Sequence, residues 1–164
     1  MKRYHRIIIG ACVALVSLGG VATAKEESIH RETLPGPVRD ALAQRYPGAE
    51  FRGFTHEREK GVDLYEAEMT VSGRRVDASF EATGRLREEE AEIAASDLPE
   101  PVRRSHDASA QGHWKIERVE RIRSSDSSAP PSYELRVFDG RQRVEVRYAS
   151  DGRRLSGHKA DPND

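Results

Sequence analysis

Apolar and polar residues alternate with the period of two that is typical of β-strands in two separate stretches of the chain. In the first stretch a two-residue turn at Ser72-Gly73 would join the strands into a hairpin. The cross-strand pairs on one face are then Met69 with Val76, Ala67 with Ala78, and Tyr65 with Phe80. The opposite face receives charged and polar residues, so this register separates apolar from polar side chains completely.

The second stretch offers two turns, and the charges distinguish them. An Asp139-Gly140 turn would place Glu134 opposite Glu145 and like charges would face each other. A Gly140-Arg141 turn gives Tyr133 with Tyr148, Leu135 with Val146, Val137 with Val144, Glu134 with Arg147, and Arg136 with Glu145. We expect the second register, because burial of each large apolar side chain contributes about 1.5–3 kcal/mol and the charge pairs then agree with it.

Helical spacing follows a proline-containing start at two places. Val38, Leu42 and Tyr46 recur at helical intervals between Pro35 and the Pro47-Gly48 stop. A second helix after Pro99 has a thinner apolar stripe, because His106 and Ala110 stand at the corresponding positions. Further strands are predicted near 49–57 and 113–123.

Self-similarity links the two halves of the chain. LPGPVR at residues 34–39 recurs as LPEPVR at 98–103, an offset of 64, and the strand motifs recur at an offset of 68. The polar tract 124–132 accounts for the growth between them. The expected fold class is therefore α+β, with two tandem repeats, each a helix plus about four antiparallel strands, and with the helices packed on one face of the sheet.

The first 24 residues have the form of a signal peptide. Lys2, Arg3 and Arg6 precede an apolar run, and Ala22-Thr23-Ala24 forms a small-residue cleavage site. A retained membrane anchor is the alternative, although the run is short for a helix that needs ~20 apolar residues. The predicted divisions are 1–24 signal peptide, 25–33 N-terminal segment, 34–94 first repeat, 95–156 second repeat, and 157–164 disordered tail.

Composition narrows the classes of partner. Without the three basic residues of the leader the formal charge is −4, which argues against nucleic acid as a partner. Cys12 is the single cysteine and lies in the leader, so the mature chain is predicted to lack disulfides. We expect a periplasmic or secreted protein that makes no membrane contact after signal cleavage.

The motifs in these stretches resemble a known family. LPGPVRDALAQRYPGAEFRGF, YEAEMTVSGRRVDASFEATGRL, LPEPV and YELRVFDGRQRVEVRYASDGRRL together cover nearly all of residues 34–155. They are similar to PepSY-like proteins described as resembling β-lactamase-inhibitory protein (BLIP). The resemblance implies a secreted, non-catalytic domain, with peptidase restraint proposed for the wider group and β-lactamase inhibition for the namesake.

No catalytic, cofactor or metal site is predicted. The histidines beyond the leader lack paired metal-ligand spacing, and His106 with Asp107 lacks the Gly-x-Ser-x-Gly elbow or oxyanion framework of a hydrolase. The carboxylate run Glu88, Glu89, Glu90 and Glu92 is interpreted as a solvated strand edge. Tyr65 and Tyr133 are assigned to core packing rather than to ligand contact.

The remaining candidate is the polar face of the sheet, which we expect to project away from the core. Its members are Glu66, Glu68, Arg75, Asp77, Glu134, Arg136, Phe138, Arg143, Glu145 and Arg147. Interface energy concentrates on aromatic residues and arginine, which favours this face for binding an unidentified extracytoplasmic protein or peptide. The predicted function is an exported non-catalytic binding module that can inhibit or modulate such a protein, for example a peptidase. A periplasmic small-ligand or cation-binding protein is the alternative.

Overall fold

The structure is a computed structural model, and it describes residues 26–126 and 128–159. The strands are β1 Glu27–Ile29, β2 Glu50–Glu59, β3 Val62–Val71, β4 Arg74–Glu81, β5 Leu86–Glu92, β6 Lys115–Ser124, β7 Ser132–Phe138, β8 Arg143–Ala149 and β9 Arg154–Lys159. The helices are α1 Gly36–Arg45 and α2 Glu100–Asp107, with one-turn 3-10 helices at Arg31–Thr33 and Ala95–Asp97. None of the described helices is long and apolar enough to cross a membrane.

The strands form one nine-stranded antiparallel sheet in which they follow one another in chain order from β1 to β9. The expected fold class is therefore wrong: in the described part of the chain two α-helices accompany a single sheet, instead of two repeats of one helix plus about four strands. The physical reason is that an open strand edge exposes unpaired N–H and C=O groups, and continuing the sheet removes such edges. The described residues form two compact units, which meet in the sequence between Glu88 and Glu89.

Both predicted hairpin registers are confirmed. The β3–β4 pair joins Met69 to Val76, Ala67 to Ala78 and Tyr65 to Phe80. The β7–β8 pair joins Tyr133 to Tyr148, Leu135 to Val146, Val137 to Val144, Glu134 to Arg147 and Arg136 to Glu145. Alternation of side chains thus predicted the cross-strand partners in both hairpins, because a slip of one residue would turn every apolar side chain to the wrong face.

In the N-terminal unit, up to Glu88, α1 covers the apolar face. Val38 and Leu42 of α1 are almost fully buried, as are Met69 and Phe80 of the sheet. The turn after β4 fits closely against the start of the helix: Gly84 has φ +81°, and a Cβ there would come within 2.5 Å of the Pro37 carbonyl oxygen. A residue without a side chain is needed on both counts.

In the C-terminal unit, from Glu89, α2 forms despite its thin apolar stripe. Leu98 and Val102 join a core with Leu135, Val146 and Tyr148 of the sheet, among other residues. The turn after β8 repeats the close approach seen after β4, because Gly152 has φ +89° and a Cβ there would collide with the carbonyl oxygen of Pro101. The helix is thus placed by packing of its few apolar residues rather than by the length of its stripe.

Two further expectations are corrected. The tail was expected to be disordered from residue 157, but Gly157, His158 and Lys159 belong to β9 and pair with β8. Backbone pairing needs no apolar side chain, so the polarity of the tail did not exclude a strand. The carboxylate run is not a solvated edge, because β5 is the fifth of nine strands and Glu90 is only 5% exposed. The signal-peptide prediction and residues 160–164 lie outside the described residues.

Candidate binding face

The ten predicted face residues lie in two sets, one in each unit. Glu66, Glu68, Arg75 and Asp77 lie on β3 and β4, and the other six lie on β7 and β8. The registers place all ten on the predicted face, opposite the apolar pairs, but most of these side chains are not exposed to solvent. Arg143 is the exposed member of the ten, whereas Asp77, Glu134, Arg136 and Glu145 are buried and the rest are partly buried.

An ion-pair cluster explains how charged residues on β7 and β8 become buried. Arg136 donates two hydrogen bonds to Glu145 Oε1, from Nε at 3.1 Å and from Nη2 at 2.7 Å. These two residues are 6% and 5% exposed, respectively. A charge removed from water needs a close partner of opposite sign, and the predicted cross-strand register supplies it.

Further members of this cluster lie on β6 and β9, two strands whose register was not predicted. Arg118 on β6 lies 3.2 Å from Glu120 Oε1, measured from Nε, and 3.6 Å from Glu145 Oε1, measured from Nη2. His158 on β9 places Nε2 3.3 Å from Glu145 Oε2. We call Arg118, Glu120, Arg136, Glu145 and His158 the Glu145 cluster. Three of its members were not predicted, because β6 contains an irregularity between Ile116 and Arg118 and because residues 157–159 of β9 were assigned to the tail.

A partly exposed aromatic and an exposed arginine lie at one end of this face. The Arg143 guanidinium stacks over the Phe138 ring, 4.6 Å from its centroid, and Arg143 Nε donates to Glu117 Oε2 at 2.7 Å. This hydrogen bond holds the pKa of Glu117 below its ordinary value, so the carboxylate stays ionised and the pair stays formed. We call Phe138, Arg143 and Glu117 the Phe138 rim.

The turn beside the rim is held by its own side chain. Asp139 Oδ1 accepts hydrogen bonds from the backbone N–H groups of Arg141 at 2.8 Å and Gln142 at 2.9 Å. The same hydrogen bonds lower the pKa of Asp139. The β7–β8 turn therefore positions Arg143 without relying on apolar packing.

The corresponding face of the N-terminal unit is different in charge. Arg75 Nε donates to Asp77 Oδ2 at 3.0 Å, and its Nη2 lies 3.9 Å from Glu68 Oε1. The same face also carries Glu66 and, opposite Leu64, Glu57. Partial burial raises the pKa of Glu57, and the nearby Glu59 carboxylate adds to the effect. With Glu50, Glu59 and Glu81, which the register also places here, this face carries seven acidic residues and one arginine. Among the residues described it has no large aromatic side chain of its own.

The side chains considered for catalysis or ligand contact mostly pack against other residues. His106 is 1% exposed, and its Nδ1 lies 3.4 Å from the Tyr148 hydroxyl. Burial lowers the pKa of His106, with Asp107 acting weakly in the opposite direction. Tyr133 belongs to the core of the C-terminal unit, whereas Tyr65 is half-buried and stacks on His56 with ring centroids 4.9 Å apart.

Comparison with known proteins places the fold. No protein-family model matches the chain, and no curated protein sequence matches it significantly. Among solved structures, a candidate periplasmic protein from Bacteroides eggerthii is similar, with a TM-score of 0.63 and 17% identity over 76% of this chain and 88% of that chain. A DUF2874 family protein from Bacteroides ovatus has a TM-score of 0.61 and 17% identity over 77% of this chain and 88% of that chain.

A BLIP-like protein from Bacteroides fragilis has a TM-score of 0.55 and 22% identity, covering 78% of this chain and 86% of that chain. At such identities the similarity concerns the fold, and it does not carry over any ligand or partner. The chain has the BLIP-like fold.

Proposed function

We propose that the protein is an exported, non-catalytic binding module that uses the Phe138 rim, at the accessible end of the polar face of β6 to β8, to bind another protein outside the cytoplasm, and that it inhibits or modulates that protein. The observation that carries the proposal is the Phe138 rim, which lies on the same face as the Glu145 cluster. Aromatic residues and arginine dominate the energy of protein interfaces, and here one of each is stacked against the other.

The arrangement lowers the cost of binding. Binding a flexible arginine loses side-chain entropy, but Arg143 is already constrained by the Phe138 ring and by Glu117. The buried pair of Arg136 and Glu145 fixes the neighbouring strands in one register. Because the rim is ordered before contact, a partner meets a prepared surface.

Export is part of the same proposal. The predicted signal peptide at 1–24 and the candidate periplasmic protein of the same fold both support a periplasmic location. The motifs that resemble PepSY-like proteins support membership in that group. Fractionation of cells with mass spectrometry of the product tests export, and we expect a periplasmic chain that begins at Lys25. A cytoplasmic chain that retains Met1 would contradict it.

Site-specific photo-cross-linking tests the binding face in the cells that export the protein. A photoreactive residue at position 138 should give a discrete adduct, whereas the same residue at exposed Arg39 on α1 serves as the matched control. Excess unlabelled protein should suppress the adduct, and the double variant Phe138→Ala/Arg143→Ala should fail to suppress it. Identical adducts from positions 138 and 39, or none from 138, would contradict the proposal.

A further inference from the structure

β9 lies at one edge of the sheet, so one of its two backbone sides pairs with β8 and the other is open among the described strands. The strand pairs with β8 through five residue pairs, from Val144 with Lys159 to Tyr148 with Arg154. It is the last strand in the sheet order, so within 26–126 and 128–159 no strand covers its other side. The backbone groups on that side can pair with an extended segment from another molecule.

The two edges of the sheet differ in length. β1 at the other edge has three residues, which limits how many hydrogen bonds it can offer. β9 has six residues without a proline, and at about 3.3 Å per residue it spans roughly 20 Å. Proteins commonly blunt an edge by shortening it, by placing proline there, or by charges and bulges. β9 has neither a short length nor a proline, but it carries Arg154 and Lys159 and a register irregularity against β8, so it is protected by charge and local twist and not by loss of backbone donors.

The charges on β9 select the kind of segment that fits. Arg154, His158 and Lys159 are exposed, and so is Arg153 in the preceding turn, while residues 152–159 include no acidic side chain. Leu155, at 38% exposure, is one of the two large apolar residues exposed in the described chain. An incoming strand with alternating carboxylates would meet opposite charges, and like charges would oppose pairing of β9 with a second copy of itself.

One of these charges lies close over the strand. The Arg154 guanidinium lies against Gly157, where even a Cβ would collide with it, and Arg154 Nε is 3.5 Å from the Ser156 carbonyl oxygen. A larger residue at 157 would push the guanidinium away. In the structure a positive charge therefore lies above the middle of the edge strand.

We propose that the open edge of β9 binds an extended acidic peptide segment of another protein, which adds to the sheet as a further strand. This goes beyond the proposed function, because it uses the backbone edge of β9 and not the Phe138 rim. The two surfaces can be tested separately.

Fluorescence anisotropy with short labelled peptides tests the proposal on the purified full exported chain. The probe is an octapeptide of alternating glutamate and valine, compared with the same peptide N-methylated at every second amide and with a lysine-valine analogue. We expect saturable binding of the acidic peptide at low ionic strength, at least about tenfold weaker binding of the methylated peptide, and none of the basic one. N-methylation removes backbone donors and keeps the charge, so equal affinity of the two acidic peptides would overturn the proposal.

Charge-reversed variants provide the second arm. Arg154→Glu/Lys159→Glu should weaken acidic-peptide binding by at least about tenfold, whereas the matched change Arg39→Glu/Arg45→Glu on α1 should alter it by less than about twofold. An equal loss in both variants would indicate attraction by net charge and would overturn the edge assignment, as would no binding to the unaltered protein at about 1 mM peptide. Phe138→Ala/Arg143→Ala should leave peptide binding intact, so failure of the edge proposal and failure of the proposed function are distinguishable.

Discussion

The polar faces of the two units share the same alternation of residues along their strands, but they differ in the balance of acidic and basic side chains. On β2 to β4 seven carboxylates share a face with Arg75, and Asp77 is the buried one among them. On β6 to β8 glutamates and arginines balance: Arg118, Arg136 and Arg147 with Glu120, Glu134 and Glu145. The balanced face is the more deeply buried of the two, with Glu120, Glu134, Arg136 and Glu145 all below a tenth exposed.

The difference shows what permits a charged β-sheet face to be removed from water. Desolvating a carboxylate is costly unless a cation lies within hydrogen-bonding distance. Arg136 provides that partner for Glu145, and the other arginines extend the arrangement along the strands. Where carboxylates outnumber cations, partial exposure to water limits the cost.

The largest effect is expected at the centre of the Glu145 cluster. Arg136→Ala leaves the buried Glu145 without its closest cation, and breaking a buried pair in this way costs about 3–5 kcal/mol of stability. Urea unfolding of the variant measures it. The control is Arg143→Ala, which removes an exposed ion pair with Glu117 and should cost at most about 1 kcal/mol. Equal losses in the two variants would show that burial does not set the contribution of the pair.

The next largest effect is expected where each unit docks a turn on its helix. Gly84→Ala and Gly152→Ala each force an alanine into a left-handed conformation and against a proline carbonyl, so each should cost more than the about 1–2 kcal/mol of conformational strain alone. Gly61→Ala is the matched control, because Gly61 has φ +86° but open space around it. Thermal unfolding should rank the control as the mildest change, and equal effects would mean that the close approach to the helix does not matter.

A smaller, pH-dependent effect on stability is expected from His106 in α2, because α1 has Leu42 at the matched position. Burial lowers the pKa of His106, so below about pH 6.5 the unfolded chain takes up a proton that the folded chain resists. Stability should therefore fall as the pH drops below this value, until the lowered pKa of the folded state is reached. Unfolding curves from pH 7.5 to 5 measure the slope.

Exchange of the residues at the matched helical positions tests the same effect. His106→Leu should flatten the slope, because the buried imidazole is gone. Leu42→His in α1, at a position equally buried, should introduce a slope of the same sign. An unchanged slope in His106→Leu would assign the pH dependence to other groups.

The smallest effect compares one glutamate from each polar face. Glu134 lies opposite Arg147, whereas Glu66 lies opposite Ser79 on a face with excess carboxylates. Glu134→Gln should cost about 1 kcal/mol or less, and Glu66→Gln should be neutral or stabilising by a few tenths. Denaturant unfolding at low and high ionic strength distinguishes them, and a greater loss in Glu66→Gln would reverse the comparison of the two faces.

Sequence analysis predicted the local structure well, for reasons that the hairpins illustrate. The pairs Tyr65 with Phe80 and Leu135 with Val146 follow from alternation within a few residues of each turn. The helix over Gly36–Arg45 likewise follows from apolar spacing between two proline-containing boundaries. In each case the signal and the structure involve neighbouring residues, so no knowledge of the remainder of the fold was needed.

The candidate site was predicted only in part. Phe138, Arg143, Arg136 and Glu145 were identified from the pattern, and the Arg136–Glu145 pair was predicted with them. The burial of Arg136 and Glu145 was not predicted, because it depends on Arg118 and on His158 from strands outside the hairpin. An irregular register in β6 and a polar β9 conceal these partners from any analysis of alternation.

The amino-acid sequence alone therefore determined the faces of the hairpins and the position of α1, since these depend on side-chain periodicity over short distances. Tertiary structure decided that the strands form one sheet, that β9 completes it, and that the charged face is buried. Those properties depend on which strand lies beside which and on the desolvation that this neighbour imposes. Neither the identity of the neighbouring strand nor the desolvation that it causes can be inferred from the order of residues within one hairpin.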